Sequence, residues 1–180
     1  MGKGIVEKLG QEFDIAVKWV GYELHPETPP EGKLLESIGP GFDADRMIRG
    51  LRSAGAPYGV SFSKITVIAN SRLALEAGEF ARDRGRFGQA HDRLFRGYFL
   101  EGQNIGAKPV IIELLKEIGL DANELDDALG RGLYTPRLQE ALASGRGYGI
   151  TAVPTFIVNE KQTIVGAQPY AVFQRTLQEL

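Results

Sequence analysis

Cysteine is absent from all 180 residues. The chain therefore has no disulfide, no thiolate nucleophile and no cysteine-ligated metal of its own. Long apolar runs are missing as well. No segment approaches the ~20 residues of a membrane span, so no membrane partner is expected. The opening "MGKGIVEKLGQEFD" has scattered charges and lacks the apolar centre and cleavage site of a signal peptide, so the sequence as written reads as cytoplasmic. Charge of neither sign accumulates: 21 Lys and Arg face 23 Asp and Glu, a net −2, which argues against a basic nucleic-acid-binding face. There are only 2 histidines, His25 and His91, and neither has acidic partners at metal-ligand spacing. Neither a metal nor a cofactor is expected, and His91, on an apolar helix face, reads as a packed, hydrogen-bonded side chain.

Hydrophobic residues at 43% and charged residues at 24% are ordinary for a globular protein, and the length suits one domain or one domain with a large insertion. Ile5, Val6, Leu9 and Phe13 recur at helical spacing, predicting a helix over 4–13. In "IAVKWVGYEL", Ile15, Val17 and Trp19 alternate with Ala16, Lys18 and Val20, predicting a strand over 15–22 with Trp19 in the core. "HPETPPEGK" then ends regular structure.

From about Asp43 the pattern predicts helix for roughly a hundred residues. Asp43 or Asp45 suits one N-cap and Asn70 or Ser71 another. "FGQAHDRLFRGYFLEG" carries Phe87, Ala90, His91, Leu94, Phe95, Tyr98 and Phe99 on one face and stops at Gly102. Phe95, Tyr98 and Phe99 are read as core of this block, with a groove-lining role the alternative. Pro109 and Gly119 bracket a further helix in the expected proline-first, glycine-last order. Asp121 and Thr135-Pro136 open two more. Gly145, Gly147 and Gly149 in "GRGYG" fit a helix stop and loop, not a dinucleotide fingerprint. Asp126 and Asp127 read as a solvated helix face. Near the end, Phe156–Val158 and Thr163–Val165 flank the polar turn Asn159–Gln162, predicting a β-hairpin. "QPYAVFQRTLQEL" then reads as a closing helix reaching Leu180.

The hairpin is entered through "GITAVPTFIV" at 149–158. Proline has no backbone N–H and is normally kept out of sheet interiors, though it can begin a strand. A cis X-Pro bond there would instead turn the preceding residue's N–H and C=O outward, where an extended peptide can pair with them. The surroundings favour the second reading.

Five segments in order, "YELHPETPPEG" at 22–32, "NSRLALEAGEFA" at 70–81, "LFRGYFLEGQNI" at 94–105, "YGITAVPTFIV" at 148–158 and "VGAQPYAVF" at 165–173, resemble the FrnE-like branch of the DsbA-family oxidoreductases. The resemblance implies an α/β, thioredoxin-like fold with a large inserted α-helical domain. It divides the chain into thioredoxin-like parts at 1–40 and 148–180 around a helical insertion at 41–147. It also implies that Val153-Pro154 is cis and is the substrate-binding edge, and that polypeptide thiol or disulfide substrates, or a glutathione-like thiol, are the partners; it leaves a homodimer open.

The same comparison aligns Gly2-Lys3-Gly4 with residues just after the family's Cys-x-x-Cys motif, so both that motif and the central first strand would precede Met1. The resemblance thus implies an incomplete N-terminus and no catalytic residue in this chain. Thiol–disulfide exchange needs an attacking thiolate and a resolving thiol, which no other side chain replaces. Burial of a central strand contributes on the order of 10 kcal/mol, from four or five side chains at ~1.5–3 each. Whole-domain stability is only ~5–15 kcal/mol, so a fold without that strand is expected to be marginal. Two other readings accommodate a Cys-free chain. One is the glutathione-dependent kappa-type transferases and 2-hydroxychromene-2-carboxylate isomerases, which share the fold with Ser in place of the nucleophilic Cys. The other is a non-catalytic peptide-binding module.

Overall fold

The computed structural model describes residues 1–63 and 65–179; Leu180, last residue of the expected closing helix, lies outside them. The first helix, α1, spans Gly2–Glu12 and buries Ile5 and Leu9, one turn apart, on a single face. It ends where Phe13 turns to extended backbone, its N–H still bonded to Leu9 C=O at 2.8 Å. Near the other terminus, β3 (Thr155–Val158) and β4 (Gln162–Val165) pair antiparallel, Phe156 opposite Ile164, and α8 (Tyr170–Gln178) follows. Asn159 and Glu160 both have positive φ (47° and 59°), the twist a tight hairpin favours, and Lys161 N–H closes the turn on Val158 C=O at 3.0 Å. Ile5 and Leu9 from α1, Ile164 from β4 and Phe173 from α8 form one buried cluster, capped by the edge-on pair Phe156–Phe173 at 4.8 Å.

The middle of the chain builds a second, larger core. Asp43 caps α2 (Ala44–Gly55), accepting from Arg46 N–H at 2.8 Å. Ser71 occupies the N-cap position of α3 (Arg72–Asp83) without a side-chain cap; its neighbour Asn70 accepts from Arg72 N–H at 2.9 Å instead. α4 (Phe87–Phe99), α5 (Lys108–Lys116), α6 (Ala122–Gly130) and α7 (Thr135–Gly147) follow. Asp121 satisfies two of the orphan N–H groups of α6, those of Asn123 and Glu124, both at 2.9 Å. Phe80, Ile111, Leu115 and Leu125 are fully buried at the centre of this block. The "GRGYG" glycines act as the predicted stop: Gly149 takes φ 66° and Ile150 N–H returns to Gly145 C=O at 3.0 Å. Among the described residues no helix is long and apolar enough to cross a membrane.

Two expectations need correction. The helical stretch from Asp43 is interrupted. A 3-10 turn at Ala56–Tyr58 leads to β2 (Val67–Ile68), which pairs antiparallel with β1 (Lys33–Leu34) inside the region read as irregular. Two-residue strands carry too little alternation to be seen in a sequence.

The predicted strand at 15–22 is also absent: residues 14–24 carry no strand and make no backbone–backbone hydrogen bond among the described residues. A strand is defined by its ladder, and no described neighbour supplies one. Side chains hold the segment instead. Arg82 Nη2 donates to Trp19 C=O at 2.8 Å, and Arg72 grips the buried Glu23 carboxylate through Nε (3.1 Å) and Nη2 (2.7 Å). The Tyr22 ring lies on Gly145, where any Cβ would come within 2.3 Å of it. The result is a mixed α/β, thioredoxin-like topology with little sheet and a large helical insertion.

Candidate functional site

The Val153-Pro154 bond is cis, as the resemblance implies. Thr155 Oγ1 donates to Ala152 C=O at 2.7 Å, and Gly166 N–H donates to Pro154 C=O at 2.7 Å, fixing the backbone on both sides. Between these anchors Val153 is half-exposed, at 50%, and its own N–H and C=O make no backbone hydrogen bond among the described residues. This is a short stretch of main chain, framed on both sides, whose donor and acceptor are unpaired among the described residues.

Pro154 lies on the first residue of α1. A Cβ on Gly2 would sit 3.1 Å from Pro154 Cβ and 3.6 Å from the tip of the Phe156 ring, so the missing side chain permits this contact. Gly4 makes a similar close approach: a Cβ there would be 2.6 Å from Tyr58 Cβ, which brings the 3-10 turn against α1. The first turn of α1 meets Pro154 with no capping side chain and no acidic residue of its own, a setting that lowers a thiol's pKa when one is present.

The third side comes from α4. Asp92 accepts from Lys3 Nζ, joining helices 89 residues apart in sequence. Burial opposes the Lys3 charge, but Asp92 and Glu7 together raise its pKa above the ordinary lysine value. Burial likewise opposes the Asp92 carboxylate, and hydrogen bonds from Lys3 and His91 still bring its pKa below the usual range. His91 stacks on Phe95 with centroids 4.1 Å apart and planes at 20°, and lies 5.7 Å from Trp19. Burial pushes the His91 pKa down; Asp92 pulls it up, while Lys3 and the Met1 amine add to the depression. The Met1 amine is itself depressed by burial.

Of the residues singled out from the sequence, the structure places Val153 and Pro154 at the start of α1. It also brings His91 there, as a packed side chain. His25 is 64% exposed beside Glu27 and belongs to no such cluster. Asp126 and Asp127 pair with Lys108 and Arg131 on the solvated surface of α6, as expected of a polar face. Among the described residues no group of His, Asp or Glu is arranged to hold a metal ion.

None of the aromatic trio joins the core of the helical block: Tyr98 and Phe99 are partly buried, Tyr98 donating its hydroxyl to Val67 C=O at 2.8 Å and Phe99 meeting Phe62 edge-on at 5.1 Å, and Phe95 is half-exposed. Trp19 is only partly buried. Lys3, Asp92 and Tyr58 were missed in the sequence. A contact across 89 residues leaves no local signal.

The sequence model described as the DSBA-like thioredoxin domain matches residues 1–178. YwbO, an uncharacterized protein of Bacillus subtilis (strain 168), is 28% identical over 182 residues, covering 99% of this chain and 89% of its own. The crystal structure of a probable DsbA oxidoreductase from Streptomyces coelicolor superposes with a TM-score of 0.88 at 22% identity, over 99% of this chain and 82% of that one. A 2-hydroxychromene-2-carboxylate isomerase superposes with a TM-score of 0.75 at 14% identity, over 98% and 86%. At such identities the two structures speak for the fold. The family follows from the match along the sequence: this Cys-free chain belongs to the DSBA-like thioredoxin domain family.

Proposed function

We propose that the chain is the substrate-holding part of a DsbA/FrnE-like thiol–disulfide oxidoreductase. In this reading Val153-Pro154 presents its main chain to an extended polypeptide at the N-terminus of α1. The observation that carries it is the free N–H and C=O of half-exposed Val153, framed on both sides and set beside the Pro154–Gly2 contact. A polypeptide laid there pairs by strand addition, gaining main-chain hydrogen bonds whatever its side chains are. Its cysteine or disulfide would then lie over the positive end of α1. The redox step itself requires an attacking and a resolving thiol. This sequence has neither, so in this reading the chain holds a substrate without itself exchanging its disulfide.

The test is a titration of unstructured labelled peptides against the purified chain, read by fluorescence anisotropy and by the Val153 amide resonance. Binding that perturbs Val153 is expected, with loss of at least tenfold in affinity when the peptide's central amide is N-methylated. The chain is also expected to leave insulin disulfides intact. Binding of glutathione without any peptide binding would move the assignment to the glutathione-dependent relatives. Peptide binding that persists without perturbing Val153 would remove the proposed edge.

A further inference from the structure

Apart from the Val153-Pro154 edge, α2 and the residues that lead into it form a second bare surface. We propose that this surface, residues 34–55, pairs with the same surface of a second copy of the chain. The two α2 helices lie antiparallel about a two-fold axis, with Asp45 of one copy opposite Arg52 of the other.

α2 is seated at one end. Its only fully buried residue is Gly55, where a Cβ would lie 2.6 Å from the Val60 carbonyl oxygen and 2.8 Å from the Phe62 ring. Arg52 fastens the same end, donating from Nε to Phe62 C=O at 2.6 Å. Toward the other end the surroundings are open: a Cβ on Gly50, Gly41 or Gly39 would meet no atom within 4 Å. Met47, Ile48 and Leu51 share one helical stripe, yet all three are only partly buried and join neither buried cluster.

The run that enters α2 continues this apolar strip. Every residue from Glu36 to Asp43 is exposed, and Leu34, Ile38 and Phe42 leave 63%, 41% and 39% of their surfaces in solvent. Short-range bonds fold the run up against the helix start. Ser37 Oγ donates to Leu34 C=O at 2.7 Å, Phe42 N–H donates to Gly39 C=O at 3.3 Å, and Asp43 caps α2 directly after Phe42. Single exposed apolar residues are ordinary on a surface, but a run continuous with a half-covered helical stripe marks a contact site. Residues 34–55 also match the roughly 20–30 residues that each partner gives to a stable interface.

The charges choose the partner. Within the surface Glu36, Asp43 and Asp45 come first and Arg46, Arg49 and Arg52 follow, with no net charge. A lipid surface or a partner of one sign would be attracted at one end and repelled at the other. The surface that matches this order is its own copy reversed, and such a two-fold pair is closed at two. The chain leaves these charges available. Asp43 and Arg49 meet each other at 3.7 Å, Arg52 is held by the carbonyls of Phe62 and Ser63, and Asp45 and Arg46 form no ion pair among the described residues. Asp45 and Arg52 are two helical turns apart, so they lie along one flank of the Ile48–Leu51 stripe. In an antiparallel pair that flank faces its own counterpart, which sets Asp45 against Arg52 twice, and the opposed helix dipoles agree with the arrangement.

Sedimentation velocity of the unaltered chain, from micromolar to millimolar concentration, should show a monomer–dimer equilibrium. Asp45→Arg and Arg52→Asp should each weaken the dimer by roughly tenfold or more, because each sets like charges opposite one another twice. An equimolar mixture of the two variants should recover the original affinity, since Arg then faces Asp at both contacts; recovery also shows that both variants are folded. The pair Ile38→Ser and Phe42→Ser should weaken the dimer by roughly tenfold through lost apolar contact, whereas Val20→Ser, on the bare main chain of 14–24, should leave it unchanged. A chain that stays monomeric at every concentration overturns the inference. So does a dimer that persists in Asp45→Arg and in the Ile38→Ser, Phe42→Ser chain. Loss in both charge variants without recovery on mixing, while their circular dichroism matches that of the unaltered chain, overturns it as well. Peptide binding at Val153 stands or falls apart from all of these outcomes.

Discussion

Among the described residues, fourteen buried side chains close on one another across α3 to α6 and their flanks, Leu120 and Tyr134, and four do so around the hairpin, Ile5, Leu9, Ile164 and Phe173. The two regions differ in how backbone polarity is satisfied. Each helix of the large block makes its own hydrogen bonds, so it arrives ready to pack and needs only an apolar stripe and a cap. Strand segments depend on neighbours. The hairpin has one ladder, and residues 14–24 have none. Buried packing is thus concentrated in the insertion, while the Val153-Pro154 edge belongs to the less consolidated region.

The comparison can be broken most forcefully through the cores. Leu125→Ala in the large block and Phe173→Ala at the hairpin should each cost about 2–5 kcal/mol by urea denaturation. Under native-state hydrogen exchange, Phe173→Ala should deprotect β3, β4 and α8 while leaving α3 to α6 protected. Deprotection of both regions together would show that they unfold as one unit.

Next in size is Arg72→Ala. It strips the buried Glu23 of its bidentate partner and loosens residues 14–24 from α3, at an expected cost of about 3 kcal/mol. Glu23→Gln, which removes the buried charge as well, should cost less. Asp121→Ala removes the cap of α6 and should lower stability by about 1 kcal/mol, confined to the large block in exchange measurements.

The smallest effect is the most local. The chain has a single tryptophan, and its ring lies 5.7 Å from His91. Trp19 fluorescence should therefore follow His91 protonation, with a midpoint below the ordinary histidine value of about 6.5. Because the folded-state pKa is depressed, the unfolded chain binds the proton more readily. The His91 contribution to stability is then fully present above pH 6.5 and is lost as pH falls through the folded-state value. His91→Phe should abolish the fluorescence transition, and a transition that survives it would assign the titration elsewhere.

Much of this architecture is legible in the residues. Ile5 and Leu9, Asp43, Asp121 and Gly149 act through contacts a few positions away, and the helices they define lie where their spacing puts them. The strand reading at 15–22 failed for the complementary reason: Val17, Trp19 and Val20 have strand character, but a ladder depends on a partner that local pattern cannot supply. The cis bond at Val153-Pro154 was legible through the family resemblance of its surroundings, since proline alone permits that geometry without requiring it. The other walls of the site were not, since Lys3 with Asp92 and Gly4 with Tyr58 meet only after both helices have packed. Phe95 shows the limit of periodicity. A helix of thirteen residues can carry two apolar stripes, and spacing alone does not say which one faces water.

The bare main chain at 14–24 has a further consequence in concentrated solution. Apart from Trp19 C=O, which Arg82 holds, its amides and carbonyls have no hydrogen-bond partner among the described residues, with Val17 and Val20 exposed among them at 46% and 56%. Another molecule's strand can pair with them, and unpaired edges of this kind seed association between chains. Crowding should therefore show itself here first, as pairing between copies along this ribbon while the helical block stays folded.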